Sequence, residues 1–233
     1  MRKTHLNLSM PQLDQEKLHT AAADFLYLLD RNYPRSACLQ LVGNRYDLDA
    51  LHRQVLHRGV FAREEAGKRR DRLVAVERLG DFNLLVDGHN VLITVESGLG
   101  GRLLIAANDG VIRDVAGVSH RYRISTLTHE AIDTILQILQ KYPPKETLFF
   151  LDEPIRQSGE LAAALRSALR SWNLSGDAQA LKVPEIRLIG GEGVVASSDS
   201  AVLDEAQRGF DLAAAAIKSL PQGIDLIDFT RLG

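Results

Sequence analysis

The sequence predicts an α/β protein in which a mainly parallel sheet, covered by helices on both faces, follows a small all-helical region. Apolar residues recur only at helical spacing through the first 60 positions, whereas from Leu73 onward short apolar runs alternate with helical patterns. Charge divides the chain in the same place: residues 1–80 carry 14 Lys/Arg against 10 Asp/Glu, and residues 81–233 carry 14 against 20. Strands alternating with helices imply right-handed crossovers, hence parallel pairing.

Leu18, Ala21, Ala22, Phe25, Leu28 and Leu29 predict a helix between Leu13 and Tyr33, interrupted at Pro34. Pro34 suits the first turn of a second helix through Leu41 and Val42, and Asp47 is the expected cap of a third, carrying Leu48, Leu51, Val55 and Leu56 toward Gly59. The stretch REEAGKRRDR, Arg63 to Arg72, is too charged for a core and reads as a solvated linker or exposed turn. The expected boundary lies there, between a basic helical domain at 1–70 and an α/β domain at 71–233.

Beyond it, LVAVERL (73–79) and NLLVDGHNVLITV (83–95) read as strands, the second buried on both faces, and LLIAAND (103–109) as a third. Ile132, Ile135, Leu136 and Leu139 predict a helix from Thr128 to Tyr142, stopped by Pro143 and Pro144. TLFFLDEP follows as a buried strand, and Leu161, Leu165, Ala168 and Leu169 predict a helix from Ser158 to Trp172. EIRLIG (185–190) and GVVASSD (193–199) read as strands, Asp199 to Arg208 and Asp211 to Leu220 as helices, and IDLIDF (224–229) as a last short strand.

Hydrophobic residues at 45% suffice for a real core and argue against a disordered or fibrous chain. A net charge of −2 argues against a protein that coats polyanions wholesale. The single cysteine, Cys38, excludes a disulfide framework and a cysteine-rich zinc site, and its apolar setting makes it a core filler. No run of 18 apolar residues occurs, and MRKTHLNLSMPQLDQ has no apolar stretch behind its basic residues, so the expectation is a cytoplasmic protein with no membrane partner.

In an open parallel sheet, ligands gather beyond the carboxyl ends of the strands. Four apolar runs end in aspartate there: Asp87, Asp109, Asp152 and Asp199. Each alone suits a helix cap or a turn. Together, on neighbouring strands, they would repel one another unless a cation neutralised them. Oxygen-only ligation favours Mg²⁺ or Mn²⁺ over zinc and suits phosphoryl chemistry, for which no nucleophilic side chain is needed.

At VDGHN (86–90) the sequence resembles the opening strand of the PIN-like nucleases, in particular their NYN branch, and ASSD (196–199) resembles that superfamily's later hallmark. With NRY at 44–46, RGV at 58–60 and SGEL at 158–161, the whole chain is similar to an uncharacterised bacterial and archaeal family that joins a helical DUF434 domain to a PIN-like DUF5616 domain. The resemblance implies a PIN-like three-layer fold. It makes Asp87 the first metal ligand and Asp199 the later one, with Asp152 completing the cluster and Asp204 a fourth candidate. Asn90 would fix the loop or orient a water, or serve simply as a turn residue. His89 stands where the family carries tyrosine, and is a candidate substrate contact. Gly88 permits a close backbone approach to an anion.

Lesser candidates have equally plain structural readings. Asp109, Arg113 and Asp114 would either set an arginine over the scissile phosphate and add a metal ligand, or form a surface ion pair at helical spacing. Ser158 either faces substrate phosphate or caps its helix, with Glu160 in the first turn. Arg31, Arg35, Arg45, Arg53, Arg58, Arg63, Lys68, Arg69, Arg70 and Arg72 could follow a phosphate backbone, with Tyr33 and Tyr46 stacking on bases, or simply be solvated. The leading expectation is a metal-dependent nuclease acting on RNA, with a homodimer left open. The alternatives are an inactive PIN-like module that binds nucleic acid or nucleotide, and a small-metabolite phosphomonoesterase, which lacks its usual second acid because His89 occupies that position.

Overall fold

A computed structural model describes residues 15–115, 122–221, 224 and 226–232. Helix α1 (Gln15–Leu29) buries Leu18, Ala21, Ala22, Phe25 and Leu26 along one stripe; the start of the expected helix, at residues 13 and 14, lies outside the described residues. Helix α2 (Arg35–Arg45) buries Cys38 and Val42. Helix α3 (Ala50–Gly59) is capped by Asp49, whose carboxylate accepts the His52 N–H at 2.9 Å. Asp47, the expected cap, instead turns the chain with φ at 44°, a left-handed conformation that aspartate tolerates.

The charged stretch expected to be a linker is helix α4 (Arg63–Arg72). Glu64 and Glu65 occupy its first turn and Arg69, Arg70 and Arg72 its last, the polarity that the helix dipole favours, and Lys68 reaches Glu64 one turn back. Ala66 and Arg69 are buried on the inner face. LVAVERL also departs from expectation: Leu73 makes one isolated parallel bridge to Gly209, and the chain then winds into a 3-10 turn over Val76–Asp81 that buries Leu79.

Strand β1 (Leu84–Asp87) ends where helix α5 (Gly88–Leu99) begins, so the run expected to continue as a strand is a helix. Continuous apolarity suits a helix buried all round as well as a buried strand. A Cβ on Gly88 would lie 2.6 Å from Leu151 Cδ2 and 3.1 Å from the Phe150 carbonyl, so the switch from strand to helix needs glycine there. Then follow β2 (Leu104–Ala106), β3 (Ile112–Asp114), and α6 (Thr126–Lys141), opened by a capping box between Ser125 and Thr128. The remaining elements are β4 (Thr147–Asp152), α7 (Ser158–Ser171), β5 (Gly176–Leu181), α8 (Glu185–Gly190), β6 (Val194–Ala196), α9 (Ser200–Glu205), β7 (Gly209–Phe210), α10 (Leu212–Lys218) and β8 (Leu226–Asp228). EIRLIG, expected as a strand, is α8: Pro184 presets its first turn, and of its residues Leu188 is buried while Ile186 and Ile189 are exposed.

Five parallel strands form the main sheet in the order β5-β4-β1-β6-β7, with Asp87 opposite Phe150 and Val86 opposite Ala196. The chain builds outward from β1 to β4 and β5, then returns to β1's other side with β6 and β7. The order therefore reverses at β1. Leu84 and Val86 pack into the core shared with α5, α6, α7 and α10, while Leu85, Phe150 and Val195 meet Leu188 of α8 and Val202 of α9. The sheet is thus covered on both faces. No described helix is long and apolar enough to cross a membrane.

A smaller sheet, β3-β2-β8, joins the two parts. Ile105 of β2, Ile227 of β8 and Phe229 complete the core of the N-terminal helices, beside Phe25, Val55 and Leu56. Arg69 of α4 fastens the same junction from the polar side. Its Nε and Nη2 donate to the two carboxylate oxygens of Asp204 at 2.6 and 2.7 Å, and its Nη1 donates to Asp109 at 3.1 Å. Breaking a buried ion network by removing one member leaves uncompensated charge. Arg69→Met is therefore expected to lower unfolding free energy by about 3 kcal/mol in urea denaturation, against a change within about 0.5 kcal/mol for a surface arginine such as Arg31.

Candidate active site

Beyond the carboxyl ends of β1, β4 and β6, where the strand order reverses, the chain leaves a pocket of about 280 Å³. Asp87, Asn90, Asp152, Glu185 and Asp199 supply its polar lining, and Pro154, Ile155, Pro184, Leu188 and Val202 its apolar part. Asp87 is the last residue of the central strand. Its Oδ2 accepts the Ser197 hydroxyl at 2.8 Å, and Ser197 Oγ in turn accepts the Asp199 N–H at 3.0 Å. Burial pushes the Asp87 carboxyl up to about 7; the Ser197 hydroxyl and the Asn90 N–H oppose the rise, and the charges of Asp152 and Asp199 add to it.

Asp199 caps α9, accepting the Ala201 N–H at 2.8 Å, so its capping role and its place on the pocket wall coexist. Asn90 fixes the loop that carries it: the amide oxygen accepts the Ser198 N–H at 3.0 Å and also the Ser198 hydroxyl. Asp152 ends β4, with its side chain about one-third exposed at 31%.

His89 is fully buried beneath the pocket and does not face it, unlike the expected substrate contact. Its Nδ1 lies 3.1 Å from the Asp152 backbone nitrogen and 3.3 Å from the Asp152 carboxylate. Nε2 has no hydrogen-bond partner among the described residues, and the ring stands edge-to-face against Tyr122. Ser158, also a candidate substrate contact, is buried; its hydroxyl donates to the carbonyls of Asp152 and Ile155 at 2.5 and 2.6 Å and so ties the turn after β4 to the start of α7.

Asp109 and Asp204 do not join the pocket as metal ligands. Asp109 is fully buried between Arg113, which contacts both its oxygens at 2.7 Å, and Arg69; against a desolvation cost, these charges hold its carboxyl below the ordinary range. Asp204 is occupied by Arg69. Arg113 sits in the β2–β3 hairpin rather than on a helix, and its remaining donor, Nε, reaches the Ser198 carbonyl at 2.7 Å. It braces the loop before Asp199. Asp114 pairs with Arg58 at 3.4 Å.

Glu185 lines the pocket without having been marked by the sequence, because α8 reads as a strand. Ser197 carries a readable signal, as one of the two hydroxyl residues before Asp199. The donor set suits a hard divalent cation: carboxylates at strand ends, with no lysine or arginine on the lining. Among the described residues, no group of three histidines, cysteines or carboxylates is placed to hold an ion between them. Mg²⁺ accepts such an open setting, since it keeps most of its waters and takes one or two protein carboxylates together with substrate phosphate.

The family described as Domain of unknown function (DUF5616) matches residues 76–215, and the one described as Protein of unknown function (DUF434) matches residues 17–72. An uncharacterised protein of Methanocaldococcus jannaschii is 29% identical over 205 residues, covering 87% of this chain and 98% of its own length. No solved structure matches.

The raised carboxyl of Asp87 has a signed consequence in the metal-free protein. From about pH 4 to about pH 7 the unfolded chain has released this proton while the folded chain retains it, so stability falls as pH rises through that window. Asp87→Asn is expected to remove the Asp87 share of the decline, leaving the part below about pH 6 that Asp211, likewise raised by burial to about 6, contributes, and to leave the variant about 2–4 kcal/mol more stable than the parent at pH 8. Thermal denaturation across pH 4–8 in chelator checks both the direction and the window.

Proposed function

The chain belongs to the DUF5616 family, and on that premise we propose that it is a PIN-like, Mg²⁺- or Mn²⁺-dependent nuclease acting on RNA, with the pocket at Asp87 as its hydrolytic site. One observation carries the reading: two strand-end carboxylates, Asp87 and Asp152, and the α9 cap Asp199 line a single pocket whose lining holds no lysine or arginine, at the point where the sheet order reverses. A divalent cation bound there supplies charge neutralisation for phosphoryl oxygens and acidifies water.

The chain's own residues do the rest. Asp87, disfavoured as an anion beside Asp152 and Asp199, is favoured as one when a cation is bound next to it. Asp152 and Asp199 flank it from the two neighbouring strands. Ser197 orients the Asp87 carboxylate through its hydroxyl, while Asn90 and Arg113 hold the Ser198 backbone so that Asp199 keeps its place. The preference for RNA rests on the likeness of VDGHN and ASSD to the NYN branch.

The absence, among the described residues, of three donors placed around one point favours a second reading, a module that binds nucleic acid without cutting it. Incubating the protein with mixed single-stranded RNA and DNA in Mg²⁺ or Mn²⁺ separates the two. The nuclease reading expects RNA cleavage that chelator abolishes and that Asp87→Asn lowers by about two orders of magnitude or more. Binding without cleavage in either metal supports the second reading, and cleavage unchanged in Asp87→Asn removes the proposed site.

A further inference from the structure

Asp199 also lines a second cavity, of about 320 Å³, on the side of the N-terminal helices. Arg35 from α2, His57 and Arg58 from α3, Phe61, Arg69 from α4 and Arg113 from β3 converge on it. The guanidinium carbons of Arg35, Arg69 and Arg113 lie 4.9, 4.3 and 4.8 Å from the centre of the one Phe61 ring. Gathering three cations around one ring in a partly desolvated space is unfavourable unless anions offset it.

Three of the four arginines have such anions. Arg69 and Arg113 share Asp109, Arg69 also holds Asp204, and Arg58 holds Asp114. Arg35 has none within ion-pair distance among the described residues. It donates instead to the carbonyls of His57 and Val60 and to His57 Nδ1, which aim it without neutralising it. Burial, with Arg69 and Arg113 nearby, pushes Arg35 down to about 10, opposed by Glu65. Burial together with Arg35 and Arg58 pushes His57 down as well. Both shifts come first from burial and then from neighbouring cations; the carboxylates on the lining, Glu65 and Asp199, make no ion pair with Arg35.

We propose that this cavity is a phosphate subsite, which holds a backbone phosphate of a single-stranded nucleic acid beside the phosphate presented to the acidic pocket. Nη1, the Arg35 nitrogen left without a hydrogen bond among the described residues, can donate to a phosphate oxygen, and Asp199 lines both this cavity and the carboxylate pocket. Its location next to the reacting phosphate rests on the nuclease reading; its anion chemistry does not.

Fluorescence polarisation of a short labelled single-stranded RNA, with the full chain in chelator and a series of salt concentrations, tests the subsite without asking for cleavage. Arg35→Gln is expected to weaken binding about fivefold to tenfold and to reduce the slope of log K against log salt by about 0.7. Glu65→Gln removes an exposed carboxylate that makes no side-chain hydrogen bond to the described residues, and is expected to tighten binding about twofold, so a poorly folded Arg35 variant still leaves the test decisive. Unchanged affinity and salt slope in both variants overturn the subsite; inorganic phosphate displacing the RNA at concentrations where the RNA itself binds keeps an anion site there and overturns its assignment to a nucleic-acid backbone. Binding that responds as expected in a protein that never cleaves leaves the subsite standing and removes the nuclease reading. Cleavage that depends on Asp87 with both other variants unaltered removes the subsite alone.

Discussion

A carboxylate cannot be taken out of water without something to offset its charge, and this chain resolves that constraint in two opposite ways. Asp109 is enclosed by Arg69 and Arg113 and held below the ordinary carboxyl range. Asp87 is given one hydroxyl and two more carboxylates as neighbours, and is pushed up to about 7. Residue type is the same in both places; only the surroundings differ. A paired aspartate holds structure together, whereas an uncompensated one stores a demand for positive charge that a ligand can meet.

The N-terminal helices belong to this arrangement rather than standing apart from it. Phe229 and Ile105 pack into their core, and α3 approaches so closely that a Cβ on Gly59 would lie 2.6 Å from the Phe229 ring. Arg69 then carries the charge pairing across the same junction. The result is that arginines of the helical region and of β3 stand next to the loop carrying Asp199, so cationic and anionic surfaces meet along a few residues.

What the sequence disclosed follows from which forces are local. Helices α1, α6 and α7 repeat their apolar residues at helical spacing, the apolar runs of β1 and β4 pass directly into aspartate, and that of β6 does so after two serines, so Asp87, Asp152 and Asp199 could be named as candidates. Strand β5 escaped notice because GDAQAL is half-exposed and nearly polar, and α8 read as a strand because EIRLIG alternates. REEAGKRRDR looked solvated because its buried face is Ala66 and one arginine, Arg69, whose partner Asp204 lies 135 residues away. That same distant pairing is why Asp109 and Asp204 looked like metal ligands: a carboxylate shows its residue type in sequence, but not whether a guanidinium will reach it.

The central claim is that the pocket at Asp87 is completed by a divalent cation. A crystal soaked in Mn²⁺ and measured for anomalous scattering tests it most directly. The account predicts a peak within ligation distance of the Asp87 carboxylate and of at least one of Asp152 and Asp199, absent from Asp87→Asn crystals treated identically. A pocket with no anomalous density at saturating Mn²⁺, or manganese bound only elsewhere on the molecule, would contradict it.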